Sequence, residues 1–440
     1  MFNIIKHFGS GKLSMAEILA PAIKLAEEGV ATPVKSSIMW NVEKDMFQNS
    51  RNAEDILNGC KAPTPGEILY NPKLAKCLRE IGETGPEVFY NGKIAKNIVE
   101  EVTNAGGSLT LEDMRGCLSS SATSSPIDAL YVDFHGFRIW GMKPNTMGIV
   151  TLVGLKILNL FDLKSLEHNS AEYIHIVSET IKYAYLECWD YLCDPDYCLK
   201  PLDELLSAAT ANKIQNAISS ESALKSELFI STGGNTSYTA VVDEEGNGCS
   251  FIFSISSRFG SGIIPDDCGF ALHDRGKCMS LKKESPNAYG PGKLPLHTII
   301  PALITDPSTG DLLGVFGVMG RWMQPQGQIQ VLLNMVVFGM DPQIALNQPR
   351  FFIGNPSTFM KYVDSYDMLY LEEGISPTVV PLLQKKGHET CKFVSDATGS
   401  TFGRGHVIAH PVLWNRSAKE DENIWWAGAD PRSDGHAMGL

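Results

Sequence analysis

The residues of this chain best placed to do covalent chemistry are in Gly233-Gly-Asn-Thr236. A hydroxyl residue that opens a strand-like run, with glycines just upstream, is the layout of a peptide bond that cuts itself. The Thr236 hydroxyl attacks the carbonyl of Asn235, the peptide becomes an ester, and water releases it. The glycines let the backbone reach the strained geometry that such an attack requires. Cleavage leaves Thr236 as a new amino terminus. Its amine, with an ordinary pKa of about 8, can take the proton from its own hydroxyl. Nucleophile and base are then one residue. The same four residues also read as a plain turn before a strand, and taken alone they do not separate the two readings.

Other candidates are weaker. His175 and Glu179 sit one turn apart on a helix and read either as a catalytic pair or as the polar edge of a packed helix. Cys188, Cys193 and Cys198 are five apart, with no Cys-x-x-Cys pair and no histidine at ligand spacing, so they read as reduced thiols rather than a zinc site. The chain lacks a Gly-x-x-x-x-Gly-Lys-Ser/Thr loop, a His-Glu-x-x-His helix and a Gly-x-Ser-x-Gly elbow. Phe259-Gly-Ser-Gly262 does not fit a dinucleotide fingerprint. No metal and no organic cofactor is expected.

Positioning Thr236 is the task of a hairpin. Residues 236–243 and 250–256 are strand-like and flank Glu244-Glu-Gly-Asn247. A three-residue loop puts Gly246 where left-handed backbone is needed and pairs Asp243 with Asn247. That register sets Ser254 opposite Thr236, with Ser256 two residues on along the same face, and a bulge would shift the pairing by one. Upstream, the chain reads as mostly helical. Ser14-Met-Ala-Glu17 is a capping box followed by Ile18, Leu19, Ala22 and Ile23, with Gly29 at the end and Pro21 implying a kink or two pieces. Asn169-Ser-Ala-Glu172 opens a second helix, carried by Ile174, Val177, Ile181, Ala184 and Cys188 towards a stop at Asp194-Pro195. Residues 328–338 read as a buried helix with Ile329, Leu332, Leu333 and Val336 on one face.

The 440 residues, 43% hydrophobic and 20% charged, describe a globular chain long enough to bury a core without disulfide staples. With 37 Lys and Arg against 50 Asp and Glu the net charge is −13, which leaves no broad basic field for nucleic acid. No apolar run is long enough to span a membrane. The opening residues lack the apolar centre of a secretory signal, and with the reduced-thiol reading this places the chain in the cytoplasm.

Beyond these local readings, the chain resembles the γ-glutamyltranspeptidase (glutathione hydrolase) family of N-terminal-nucleophile hydrolases. The segments that carry the resemblance from Thr236 onward are Thr236-Ser-Tyr-Thr-Ala-Val-Val-Asp-Glu-Glu-Gly-Asn247, Phe259-Gly-Ser-Gly-Ile-Ile-Pro265, Gly290-Pro-Gly-Lys-Leu-Pro295, Gly317-Val-Met-Gly320, Ala345-Leu-Asn-Gln-Pro-Arg350 and Ala429-Asp-Pro-Arg432. Upstream, Ala20-Pro-Ala-Ile-Lys-Leu-Ala-Glu-Glu-Gly29, Gly107-Ser-Leu-Thr-Leu-Glu-Asp113 and Tyr191-Leu-Cys-Asp-Pro-Asp196 are similar to the family's large subunit. The resemblance implies an α/β chain folded as a four-layer αββα sandwich. Residues 1–235 would be large-subunit-like and 236–440 small-subunit-like, the two interleaved in one domain and forming a heterodimer after self-cleavage. It implies γ-glutamyl transfer or hydrolysis on glutathione and related compounds, with cleavage at Asn235–Thr236.

Carried over residue by residue, the resemblance places the nucleophile on Thr236 and the hydroxyl that bonds it on Ser254. The substrate-binding asparagine falls on Ser256, and the paired serines fall on His297 and Thr298. The oxyanion-hole glycines fall on Gly320 and Arg321. If the backbone there needs a positive φ, arginine carries a cost that glycine avoids, and one lost oxyanion donor costs about 100- to 1,000-fold in rate. The acidic pair that grips the glutamyl amine reads Lys277-Cys278, with Arg275 just upstream, so an anion in place of the amine is the natural partner of Arg275 and Lys277. The loop over 279–289 is short for a lid. The chain begins almost at the first match, as if truncated at its amino end, which makes the lack of a leader uninformative. Two other functions compete with γ-glutamyl chemistry: a catalytically inactive relative acting as a binding or scaffold protein, and a related amidase with a different acyl donor.

Overall fold

The computed structural model describes residues 1–440 except 48–49, 58–60, 120–125, 199, 226–234, 355–367, 389–390, 395–400, 419–422 and 440. It divides into two compact units, Met1–Ile127 with Ser257–Asp274, and Asp128–Ser256 with Arg275–Leu440. Residues from both sides of Asn235–Thr236 enter each unit.

The first unit is helical: α1 (Phe2–Phe8), α2 (Met15–Glu28), α3 (Val34–Glu43), α4 (Pro72–Thr84), α5 (Glu87–Tyr90), α6 (Lys93–Asn104) and α7 (Leu111–Ser119), with one short pair, β1 (Val30–Ala31) and β2 (Ile68–Leu69). The capping box forms as the sequence predicts. Ser14 Oγ accepts from Glu17 N at 3.3 Å and Glu17 Oε2 accepts from Ser14 N at 2.8 Å. Of the two alternatives raised by Pro21, a kink or two pieces, the second does not occur, because the helix runs unbroken through it. Met15, Leu19 and Ile23 bury against Ala75 of α4, and that packing offsets the hydrogen bond the proline lacks. The stretch 257–274 is tied into the unit by Asn52 Nδ2 to Ile264 O at 2.9 Å and Asn71 Nδ2 to Gly269 O at 2.7 Å.

The second unit carries the remaining strands: β3 (Leu130–Phe134), β4 (Phe137–Gly141), β5 (Asn235–Val242), β6 (Gly248–Ser256), β7 (Ala302–Thr305), β8 (Leu312–Met319), β9 (Phe351–Ile353), β10 (Leu369–Glu372), β11 (Cys391–Val394), β12 (Arg404–Ala409) and β13 (Trp426–Ala429). Its helices are α8 (Gly148–Leu158), α9 (Ala171–Cys188), α10 (Leu202–Leu205), α11 (Ala208–Ala217), α12 (Met323–Val336), α13 (Pro342–Asn347) and α14 (Val379–Lys385). Six strands form an antiparallel sheet in the order β13-β12-β8-β7-β4-β3, three form the sheet β11-β10-β9, and β5 and β6 pair only with each other.

The hairpin and the six-stranded sheet are the two β layers of this unit, and α8 and α12 line the sheet's other face. β8 is therefore buried along nearly its whole length. Close approach of the hairpin requires a glycine: a Cβ at residue 317 would lie 2.5 Å from the Tyr238 ring. α12 is buried on every side, including four glutamines that alternate with apolar residues. Gln326 and Gln330, one turn apart, exchange hydrogen bonds with the backbone of Ile353 (2.9 and 3.0 Å) and Phe351 (3.0 and 2.9 Å). On another side Gln324 accepts from Ile300 N at 3.1 Å and Gln328 donates to Ile300 O at 2.7 Å. Amide side chains here do what a neighbouring strand would otherwise do for exposed backbone groups.

Two sequence expectations need correction. α9 is capped by Ser170 and ends at Cys188, short of Asp194-Pro195. The chain tightens there into the 3-10 turn Trp189–Tyr191, and the Trp189 ring stacks on Trp322. His175 and Glu179 are neither the polar edge of a packed helix nor a pair by themselves. Both are buried, and His175 meets His388 (Nδ1 to Nε2, 2.9 Å) and Ser219 O (2.8 Å). Glu179 accepts from Leu224 N at 2.7 Å beside Lys182.

Candidate active site

The β5–β6 hairpin has the register expected from its turn. Asp243 N donates to Asn247 O at 3.1 Å, Gly246 adopts φ 82°, and Asp243 Oδ1 accepts from Glu245 N and Asn247 N at 3.0 and 2.8 Å. Pairing then runs Val242↔Gly248 to Thr236↔Ser254, and an irregularity between Asn235 and Thr236 sets Asn235 opposite Ser256. The loop residues 231–234 ahead of Asn235–Thr236 lie outside the described residues.

Thr236 is buried, and its Oγ1 lies 3.2 Å from Ser254 Oγ. Ser254 Oγ also receives Ser256 N at 3.0 Å and Arg275 Nη2 at 3.0 Å. The Thr236 hydroxyl donates to Ser254 Oγ, which also accepts from a backbone amide and a guanidinium, so the serine oxygen gathers three donors and holds the Thr236 hydroxyl in place.

Arg275 lies in a 3-10 turn, Arg275–Cys278, and is only 4% exposed. Its Nη1 reaches Thr298 Oγ1 at 3.2 Å and Cys278 Sγ at 3.6 Å. Thr236, Ser254, Ser256, Arg275, Cys278 and Thr298 thus form one connected cluster. Lys277 is exposed on its rim. His297 is turned to local work, with its amide donating to Asn145 O at 2.8 Å and its Nδ1 accepting from Ile299 N at 3.4 Å. Ser256 is fully buried at φ 75°, and its Oγ has no hydrogen-bond partner. Positive φ in a non-glycine residue and an orphaned buried hydroxyl are both costly, and features of this kind concentrate at functional sites.

Gly320 and Arg321 form the turn between β8 and α12, with φ 141° and 56°. Arginine therefore occupies left-handed backbone, the cost expected from the sequence. Packing of the hairpin on β8 fixes which end faces this turn. A Cβ at residue 248 would strike Leu312 and Val315, whereas Tyr238 lies over Gly317 and packs with Met319. Going from Val242 back to Thr236 thus follows β8 towards Gly320 and Arg321.

Beside the turn lies a cavity of about 650 Å3, with Cys278, Lys277, Arg321, Trp189 and Trp322 in its wall. The loop over 279–289 forms another side of it rather than lying apart from the site. Two parts of this arrangement were out of reach of sequence reasoning. Arg275 is a buried partner of Ser254, a role only the folded register reveals, and no motif brings Trp189 to Trp322.

A cluster elsewhere in this unit, His175, Glu179 and His388, has the residue types of a metal site. Its donor set does not fit one. Lys182 Nζ sits 2.8 Å from Glu179 Oε1, and His175 Nε2 is held by Ser219 O. Burial, with the nearby Lys182, His175 and Lys386 charges, pushes His388 down to about 3, so the His388 ring meets His175 as a neutral group. Cys188, Cys193 and Cys198 belong to no candidate metal cluster among the described residues. No helix among the described residues is long and apolar enough to cross a membrane.

Comparison with known proteins places this site in a family. The sequence profile of gamma-glutamyltranspeptidase matches residues 1–440. The chain is similar to the glutathione hydrolase-like YwrD proenzyme of Bacillus subtilis, 30% identical over 442 residues, covering 99% of this chain and 78% of the relative. It is 28% identical to the oxamate amidohydrolase proenzyme of Klebsiella pneumoniae, over 97% of this chain and 76% of that one. Among solved structures, cephalosporin acylase from Bacillus halodurans superposes with a TM-score of 0.83 at 30% identity, covering 99% of this chain and 76% of the other. The mixed helix-and-sheet architecture is accordingly that of the N-terminal-nucleophile hydrolases, as the sequence implies. With a profile match from end to end and a relative 30% identical over 99% of this chain, this chain belongs to the γ-glutamyltranspeptidase family.

Proposed function

We propose that the chain cuts itself at Asn235–Thr236 and then uses Thr236 to hydrolyse or transfer amide-linked acyl groups, with glutathione and related γ-glutamyl compounds as the first donors to try. The observation that carries this reading is the Thr236–Ser254 hydroxyl pair at 3.2 Å, with Ser254 held by Arg275 and Ser256 N. In self-cleavage the Thr236 Oγ–carbonyl bond forms as the Asn235–Thr236 peptide C–N bond breaks. The proton moves from oxygen to the departing nitrogen, and water then splits the ester. In turnover the freed amine of Thr236 takes the hydroxyl proton, Oγ attacks the donor carbonyl, and the amides of Gly320 and Arg321 receive the oxyanion. The leaving amine departs with that proton. Water or an acceptor amine then releases the acyl group.

One observation favours a different donor on the same machinery. Lys277 and Cys278 stand where the resemblance leads one to expect an acidic pair for an α-amine, with Arg275 just upstream, and a buried guanidinium repels an ammonium group. That favours an amidase whose acyl group carries no amine, and the likeness to a cephalosporin acylase at 30% identity agrees with it.

A denaturing gel of purified protein tests the core of the proposal. The wild-type chain is expected as two pieces, the smaller beginning Thr-Ser-Tyr, and Thr236→Ala is expected to stay whole and lose all amide hydrolysis. A wild-type chain that persists intact defeats the proposal and leaves the inactive-relative reading in its place.

A further inference from the structure

The cavity beside the nucleophile is larger than a glutamyl group requires. Its volume of about 650 Å3 falls in the range of about 300–1,000 Å3 that buries drug-sized ligands. One wall is aromatic. The Trp189 and Trp322 rings lie with centroids 5.5 Å apart and 18° between planes, and Trp189 is 41% exposed. Trp322 is fixed from behind, since the Tyr185 hydroxyl donates to its carbonyl. Met279 and Leu296 extend the apolar surface.

The opposite wall is held in shape by its own hydrogen bonds. Ser280 N donates to Asn287 O and Tyr289 N to Ser280 O, both at 2.8 Å, while Asn287 Oδ1 accepts from Leu296 N at 3.2 Å. The cavity is therefore formed before any ligand arrives, and binding spends little on ordering. Lys277, Lys282 and Arg321 give the rim three cations. Of the two acids there, Asp190 is already bonded to Lys200 at 2.9 Å, and Glu284 is the other. The surface suits a flat apolar group with an anionic end and is poorly suited to a compact ammonium.

We propose that this cavity binds an aromatic carboxylate portion of the amide substrate, its ring against Trp189 and Trp322 and its carboxylate among Lys277, Lys282 and Arg321. The inference rests on the amide-hydrolase reading and names its substrate class. Cys278 in the cavity wall contacts Arg275, and Arg275 contacts the serine that bonds Thr236, so a ligand seated here lies next to the reacting centre.

Binding is measurable without turnover. Equilibrium dialysis of 1-naphthylacetate against the full-length Thr236→Ala chain is expected to show saturable one-to-one binding. Loss of a stacking indole is worth about tenfold in affinity or more, so Trp189→Ala is expected to weaken binding by that factor and Trp189→Phe to restore most of it. The uncharged 1-naphthylmethanol and the ringless dianion glutarate should each bind at least about fivefold more weakly, the former difference shrinking in high salt. Absence of saturable naphthylacetate binding, unchanged affinity in Trp189→Ala, or equal binding of glutarate overturns the proposal. None of those results touches self-cleavage, and failure of wild-type self-cleavage leaves the dialysis result standing.

Discussion

Arg350 and Arg275 are buried to a similar depth in the second unit, yet their surroundings differ in kind. Arg350 Nη2 meets Asp430 Oδ2 at 2.6 Å and donates to Leu346 O, and its Nη1 donates to the carbonyls of Phe402 and Gly403. Arg432 completes the lattice through Asp430 and through Glu372, whose Oε1 it meets at 2.6 Å, and Glu372 Oε2 accepts from Arg350 N at 2.8 Å. These residues join α13, β10, β12 and β13. Arg275 instead donates to Ser254, Thr298 and Cys278, close to Thr236. Arg350 and Arg432 end two of the segments that carry the family resemblance, whereas Arg275 is a departure from it. Resemblance here tracks the scaffold, and Arg275 is a deviation that lies one hydrogen bond from Ser254.

The contrast makes predictions, and the largest concerns Arg350. Arg350→Met strands the buried Asp430 carboxylate with Arg432 alone and is expected to lower stability to urea by about 3–5 kcal/mol. Arg275→Met removes hydrogen bonds to neutral groups and is expected to cost no more than about 1–2 kcal/mol. Equal losses in the two variants would erase the distinction.

Rate should separate them in the opposite sense. Arg275→Lys keeps the charge but cannot fork between Ser254 and Thr298, so self-cleavage is expected to slow about tenfold with the urea midpoint nearly unchanged. Wild-type cleavage in that variant would show that the fork does not position the serine. Arg321→Gly is a smaller probe. Left-handed backbone costs a non-glycine residue about 1–2 kcal/mol, so relieving it is expected to raise the cleavage rate a few-fold; an unaltered or lower rate would show that arginine fits this turn.

The smallest effect is in acid. Burial pushes the Asp430 carboxyl up, but Arg350 and Arg432 outweigh it and hold the group below its ordinary 3.8. Its contribution is complete above that pH and is lost as pH falls below it, so acid unfolding of Arg350→Met should begin at higher pH than that of the wild type.

The hairpin was legible because everything that fixes it is local. The turn residues set the register, and the register set Ser254 against Thr236. The capping box of α2 was legible for the same reason. α12 was readable only as a buried helix, because glutamines in a sequence give no sign that they bond the backbone of β9 and of Ile300. The long-range meeting of His175 with His388, or of Arg275 with Ser254, depends on topology that no spacing encodes. Arg321 was an informative failure of local preference: a residue unsuited to its backbone marked the very turn assigned to charge stabilisation.

Pairing of β4 with β7 has a consequence for the fate of a severed chain. Ile139↔Ile304 and its neighbours join residues from opposite sides of Asn235–Thr236 inside one continuous sheet. Pulling the two fragments apart would tear a ladder in mid-sheet and bare α8 and α12 to water. A nick between Asn235 and Thr236 would therefore change the covalent count of the molecule while leaving the second unit a single cooperative body, which should melt in one step.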